Sequence, residues 1–317
     1  MSSSIQQLTY FKLIFAIGIW AGLYHVAKYV LIPGIDIKLI IFLRYFIASF
    51  CLLIILKVKT KKIIYPIGLK QGLLICLIAL IGLIFYNLLF FYAESLISGN
   101  LIAIMYAFTP CITACLSAIL FKLRLNILQI CGIFIALIGT IGVINYSTAS
   151  CGRFFCVNTF SHWDLGILYA IGATICFALY SILNKYLILN SNLIALVINT
   201  YSSLAACSIL LFLFLFKGIS FENIKLSTSQ SFWLAMLYTS IAATAIAYLW
   251  YVEVLAKLGI LKTVVFQNTL PLQTILIGYI WFNESISLNV FICSCIVVIG
   301  VLITNIPLNL IRFNTPK

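Results

Sequence analysis

The chain has 317 residues, 64% of them hydrophobic and 8% charged, with a formal charge of +13 from 19 Lys and Arg against 6 Asp and Glu. Soluble domains carry roughly 25% charged residues, so there is too little polar surface here to cover a water-soluble globule, and the class left is an integral membrane protein. The excess cations then read as topogenic charge and contact with anionic membrane lipid; no basic run interleaved with aromatics marks a nucleic-acid partner.

The N-terminus, "MSSSIQQLTYFK", is short and polar, and no small-residue cleavage site follows the first apolar run, which reads as an uncleaved span. A membrane helix needs about 20 mostly apolar residues. Ten such runs are predicted, at 10–32, 37–56, 68–91, 98–120, 126–146, 163–187, 192–216, 231–255, 260–282 and 288–306. The longer gaps, 147–162 and 217–230, leave no room for a soluble domain. With the N-terminus inside, the inner segments hold 13 Lys and Arg and the outer segments 5, a bias that places both termini in the cytoplasm. In a bacterium the membrane is the inner, or plasma, membrane.

The second half repeats the first. "YAFTPCITACLSAILFKLRLNILQICGIFIALIG" aligns without a gap on "FQNTLPLQTILIGYIWFNESISLNVFICSCIVVIG", pairing Pro110 with Pro271, Thr113 with Thr274, Phe121 with Phe282 and Gly139 with Gly300. Upstream, "WAGLYHVAK" aligns with "CFALYSILN", pairing Tyr24 with Tyr180, and Tyr45 meets Tyr201 at the same offset. Five spans are thus followed by five related spans. An odd number forces the second set to enter from the opposite side, which defines inverted-topology repeats. The predicted fold is all-α, ten transmembrane helices as two inverted five-helix repeats, at 10–146 and 163–306, joined by a loop at 147–162. The loop "FKLRL" after span 4 and its counterpart "FNESI" after span 9 agree: the second has lost its cations and gained Glu284.

"WAGLYHVAK", "FLRYFIA", the Thr-Pro of span 4, "NTLP", "WFNESIS" and "VVIGVLI", in that order, resemble the EamA-type drug/metabolite transporter superfamily over residues 10 to 306. The family's usual Gly-Glu pair is incomplete, with Lys122-Leu123 in the first copy and Asn283-Glu284 in the second. The resemblance implies a secondary transporter or exporter of small metabolites such as amino acids, nucleotide-like compounds, vitamins or amphipathic molecules.

Paired interrupted helices point to a transporter's central site. Pro110 and Pro271 each remove a backbone donor and either line such a site or only kink their helices. Around Pro271 the amides Gln267, Asn268 and Gln273 read as cavity lining or as interhelical hydrogen bonds. Arg44, about 10 Å into span 2, either snorkels outward or faces a wet cavity where it meets an anionic group. His25 and Lys28 share a face of span 1 and form either a proton-accepting site or an interfacial pair. Trp20, Tyr24, Tyr86, Asn87, Tyr106, Tyr180, Asn184, Tyr248 and Trp250 supply an amphipathic lining, with the aromatic belts at the two membrane surfaces as the rival reading. Glu94 and Glu253 close spans 3 and 8, as interfacial carboxylates or as carriers of a coupling proton. No G-x-x-x-x-G-K-[ST] loop occurs, so transport is expected to be facilitated or gradient-driven, with no cofactor.

The 11 cysteines read mostly as small apolar fillers. With two histidines and no zinc-type spacing, a metal site is not expected. "CGRFFC" falls in an outer loop, where Cys151 and Cys156 are a disulfide pair or two free thiols. A lipid-modifying enzyme would need clustered acids, histidines or a nucleophile triad, and the six acids are scattered. Mid-membrane amides argue against a membrane scaffold without transport. The partners expected are a small-molecule substrate and membrane lipid, with the chain a monomer or a homodimer.

Overall fold

The computed structural model describes residues 3–31, 35–96, 102, 106, 108–121, 126–147, 165–216, 229–282 and 287–305. They form helices and contain no strand. The helices are α1 (Ser3–Val30), α2 (Ile37–Thr60), α3 (Leu69–Leu96), α4 (Thr109–Phe121), α5 (Ile127–Ser147), α6 (Leu165–Leu189), α7 (Ala195–Phe216), α8 (Gln230–Leu258), α9 (260–282) and α10 (Leu288–Asn305). Among the described residues, seven helices are long and apolar enough to cross a membrane: α1, α2, α3, α6, α7, α8 and α9. Apolar stretches of α4, α5 and α10 are shorter, at Thr109–Leu120, Ile127–Gly142 and Leu288–Thr304. Side chains such as Phe50, Leu69, Phe216 and Phe291 stand well exposed on the outside. In lipid this is the favourable arrangement, because the helices satisfy their own backbone groups and the hydrocarbon solvates the apolar faces.

Local chemistry sets several boundaries. α1 starts at Ser3, earlier than the apolar run, because Gln6 and Gln7 tolerate helix at an interface. Asp36 caps α2 by accepting from Lys38 N at 2.8 Å. The turn between α8 and α9 is made by Gly259 at φ 85°, a left-handed conformation that glycine adopts without strain.

Two of the long helices carry an irregularity the sequence did not predict. α3 is interrupted by a π-helical segment, Ile78–Phe85, and α8 by another, Tyr238–Ile246. The two sit at matching places in the repeat. Each ends with a bond five residues back, from Tyr86 N to the Ile81 carbonyl and from Ala247 N to the Ala242 carbonyl. A π turn widens the helix and leaves nearby carbonyls poorly served, and those carbonyls are met by side chains described below.

The prolines are accommodated by helix starts. Pro271 is the second residue of Leu270–Phe282, preceded in α9 by a 3-10 segment, Val265–Thr269, and a short helix, Ile260–Val264. Pro110 is likewise the second residue of α4. In a first turn the missing N–H has no intrahelical partner to lose, so neither proline sits inside a continuous α-helix.

α5 and α10 meet with their backbones nearly touching. A Cβ placed on Gly300 would lie 2.3 Å from Ala136 N, one on Gly132 2.3 Å from Thr304 Oγ1, one on Gly139 2.7 Å from Val297 N, and one on Gly142 2.6 Å from Cys293 Sγ. Residue numbers rise along one helix as they fall along the other, so the pair is antiparallel. The contact is also self-similar: Gly139 and Gly300 are repeat counterparts, as are Ala136 and Val297. Small residues at this spacing permit such close approach.

Candidate substrate cavity

The largest buried cluster brings together α1, α2, α3, α6 and α8. Its centre is aromatic. Trp20 lies edge-on to Phe177 at 5.8 Å and to Tyr248 at 5.2 Å, and Tyr86 meets Phe177 at 5.3 Å. Edge-to-face arrangements of this kind use the quadrupoles of the rings favourably. Within the cluster is a cavity of about 30 Å³, room for one water. Trp20 and Leu23 of α1 line it with Arg44 of α2 and with Tyr86, Asn87 and Phe90 of α3; Tyr106, Phe177 of α6, Tyr248 of α8, and Gln267 and Leu270 of α9 complete the wall. A metabolite site holds roughly 300–1,000 Å³, so this conformation is closed around the space.

Arg44 is 2% exposed. It does not snorkel: its Nε donates to Thr244 Oγ1 and its Nη1 to Asn87 Oδ1 at 2.8 Å. Among the described residues no carboxylate comes within ion-pair distance of it, and Glu94 is the buried acid that feels its charge. Among the described residues the one ion pair joins Lys12 to Glu253. A buried cation held by neutral oxygens is costly in a membrane, and an incoming anion would relieve that cost.

The same side chains serve the π segments. Asn87 Nδ2 donates to the Leu83 carbonyl at 2.7 Å and to the Tyr45 hydroxyl at 2.8 Å. Trp20 Nε1 donates to the Ala243 carbonyl at 2.9 Å, and Thr244 Oγ1 to the Thr239 carbonyl, also at five residues' separation, at 2.8 Å. Arg44 therefore bridges the two wide turns, through Thr244 on α8 and through Asn87 on α3. Asn87 and Tyr248 each follow a π segment by a residue or two and are repeat counterparts on facing walls.

Two polar atoms at this site have no partner. Gln267 Oε1 and the Tyr106 hydroxyl are buried without a hydrogen bond. A buried acceptor left unmade costs about 1–3 kcal/mol, and a ligand offering a donor would meet it.

The other residues singled out from sequence fall elsewhere. Asn268 is buried with both amide atoms unpaired, while its carbonyl accepts from Thr140 Oγ1 at 3.2 Å. Gln273 departs from Gln267: it bonds Thr269 Oγ1 at 3.1 Å and lies in a separate groove with His25, whose Nε2 is 3.3 Å from the Thr274 carbonyl. Asn184 turns back onto the Tyr180 carbonyl at 2.8 Å, and the Tyr180 ring covers Gly82. Neither Asn184 nor Tyr180 lines the cavity. Pro110 and Pro271 are buried but also off its wall. Glu253 is paired with Lys12. Glu94 keeps a buried Oε2 with no hydrogen-bond partner. The Tyr24 and Lys28 side chains and the Cys151–Cys156 loop lie outside the described residues. Among the described residues no group of three or more His, Cys, Asp and Glu forms a metal site. Tyr86, expected from the sequence, lies on the wall; Phe90 and Phe177 complete it, and sequence offers no signal that separates those two from lipid-facing aromatics.

A membrane bundle closed around a cation-bearing aromatic cavity is the architecture of a small-molecule transporter. The chain belongs to the EamA-like transporter family, whose domain matches it twice, at residues 7–145 and 164–306. It is 27% identical over 276 residues to the uncharacterized transporter YyaM of Bacillus subtilis (strain 168), covering 86% of each chain. It is 25% identical over 264 residues to the uncharacterized transporter YetK of the same organism, covering 83% of this chain and 76% of the relative. A solved crystal structure, described only as that of a protein, superposes with a TM-score of 0.71 at 17% identity over 93% of this chain and 97% of its own, a likeness of fold.

Proposed function

We propose that the protein is a secondary or facilitative transporter of a small amphipathic metabolite carrying a carboxylate and an amine, an amino acid or a related compound. The observation that carries this reading is Arg44: a buried cation with no carboxylate in ion-pair contact among the described residues, on the wall of an aromatic cavity. The substrate's carboxylate pairs with the Arg44 fork, which suits a planar, two-oxygen partner. Its ammonium donates to Gln267 Oε1, and its apolar part packs against Trp20, Tyr86, Phe177 and Tyr248.

Transport proceeds by alternating access between two inverted five-helix repeats, ten spans in all, in the plasma membrane with both termini in the cytoplasm. The antiparallel, self-similar α5–α10 contact supports inversion. So does the grouping of cations expected on one side: Lys12 pairs with Glu253, and Lys185 Nζ reaches the Leu255 and Ala256 carbonyls at 3.4 Å. Arg44 ties the substrate to both π segments. When the carboxylate draws the guanidinium off Thr244 and Asn87, both wide turns lose a restraint together. Glu94, with its unmet buried oxygen, is the residue to carry a coupling proton; Glu253 holds the inner end through Lys12.

The test is uptake into proteoliposomes of the purified protein from a panel of labelled amino acids, their methyl esters and their N-acetyl derivatives. A free carboxylate should be required and a free amine favoured. Equal transport of acid and ester removes Arg44 from the substrate's path.

A further inference from the structure

The row of α3 that faces the cavity continues past it. Asn87, Phe90 and Glu94 follow one another at three and four residues. Seven residues turn a helix to within about 20° of two full turns and advance it by about 10 Å. Asn87 and Phe90 line the cavity, so Glu94 is next in the same row, one turn beyond Phe90. Its Oε2 is enclosed without a hydrogen bond, while the residue as a whole is half-buried.

Three acids fall among the described residues. Asp36 caps α2 and Glu253 pairs with Lys12, which leaves Glu94 for Arg44. α2 and α6 pack against this part of α3. Toward the same end they carry Lys38, Arg44 and Tyr45 on α2, and on α6 Tyr169, whose ring meets Tyr92 at 5.7 Å. The charge that reaches Glu94 is that of Arg44. Arg44 Nη1 bonds Asn87 in the same row, so the two ionisable groups share a wall without touching.

Their charges cannot be set independently. In a weakly screening interior, an ionised Glu94 offsets the guanidinium. A substrate carboxylate that pairs with Arg44 takes over that role at closer range. Glu94 is then a second enclosed anion with no cation of its own, and such groups neutralise. A proton on Glu94 removes the charge. By reciprocity, a protonated Glu94 leaves Arg44 unopposed and strengthens its hold on a carboxylate.

Taking Arg44 as the partner of the substrate's carboxylate, as proposed above, we infer that the carboxylate and one proton bind together, at Arg44 and Glu94, and cross the membrane in the same direction. On release both leave, and the empty carrier returns with Glu94 ionised against Arg44. Protons held outside the membrane then drive uptake. A substrate ammonium at Gln267, on another helix, offsets part of the linkage, so an N-acetyl derivative should show it more fully.

The experiment uses the full-length protein in proteoliposomes. The probes are the labelled amino acid taken up fastest in the panel above and its N-acetyl derivative. An inward proton gradient should concentrate both several-fold, and a protonophore should abolish the accumulation. An amino acid entering with a proton carries one positive charge and its N-acetyl derivative none, so an inside-negative potential should speed only the first. Binding to the unmodified protein should tighten as pH falls, by up to about tenfold per pH unit for one linked proton. Glu94→Gln has the shape of the neutral acid. Its binding should stay at the tight, low-pH value at every pH, with no accumulation on the gradient, and Glu94→Asp should recover part of the coupling. Uptake indifferent to the gradient, pH-independent binding to the unmodified protein, full accumulation by Glu94→Gln, or loss of its binding at every pH overturns the proposal. Equal transport of acid and methyl ester instead removes the Arg44 assignment, so the two failures are told apart.

Discussion

Replacing Arg44 with methionine separates the fold's need for this residue from the substrate's. The change removes the bonds to Thr244 and Asn87. Thr244 still donates to the Thr239 carbonyl, and Asn87 to Tyr45 and Leu83. The atom left without a partner is Asn87 Oδ1, at about 1–3 kcal/mol. Against this stands the removal of a membrane-buried cation, worth about 2.5–3.5 kcal/mol on insertion scales. The two nearly cancel, so thermal stability in detergent should stay close to that of the unmodified protein. The substrate has no such compensation. Losing the charged partner of a buried carboxylate costs about 2–5 kcal/mol, and at 1.4 kcal/mol per tenfold apparent affinity in proteoliposomes should fall by roughly thirty-fold or more. Arg44→Lys should restore part of the loss, since it keeps the charge without the fork. The reasoning fails if Arg44→Met transports within a few-fold of the unmodified protein, or if the variant unfolds on extraction.

Four further outcomes follow from the same geometry. Gln267→Leu should lower transport of amine-bearing substrates several-fold and leave N-acetyl derivatives unaffected, while thermal stability holds or rises because an unmet acceptor is gone. Gly300→Ala should cost about 1–3 kcal/mol by overpacking against Ala136 N, whereas Gly72→Ala on α3, where a Cβ meets nothing within 4 Å, should gain about 0.4–1 kcal/mol; thermal midpoints compare them. Thr244→Val should depress transport more than stability, by releasing Arg44 and uncovering the Thr239 carbonyl, and equal loss in both assays would make Thr244 merely structural. A cysteine at position 60, in a background without native cysteines, should react with a membrane-impermeant maleimide only when the cytoplasmic face is open.

How far the sequence foretold this can be judged from individual residues. Arg44 stood out because a cation in an apolar run has few tolerable fates, and the fork on Thr244 and Asn87 is one of them. Gln267 stood out as a deep amide. Grouping it with Gln273 was a geometric error that helical spacing would have caught: six residues place two side chains about 120° out of line, and Gln273 accordingly faces α1. The π segments left no trace in sequence. "IALIGLIF" and "YTSIAATAI" contain no proline, and an extra residue per turn is a matter of hydrogen-bond register. Yet the cavity depends on them, since Asn87 and Trp20 point where they do to serve the carbonyls those turns release. Asn184 and Tyr180 misled because a polar or amphipathic side chain on a buried face satisfies itself as readily against its own helix as across a cavity.

The glycine seam between α5 and α10 offers the experimenter a fixed frame. Where backbones touch, there are no side-chain rotamers to exchange, and such an interface has one arrangement available to it. Labels carried on the outward faces of these two helices, at Phe134 and Ile299 for example, should keep a constant separation through the transport cycle. Distances from that pair to labels on α3 and α8 then resolve which wall of the cavity moves, free of the ambiguity of measuring one mobile element against another.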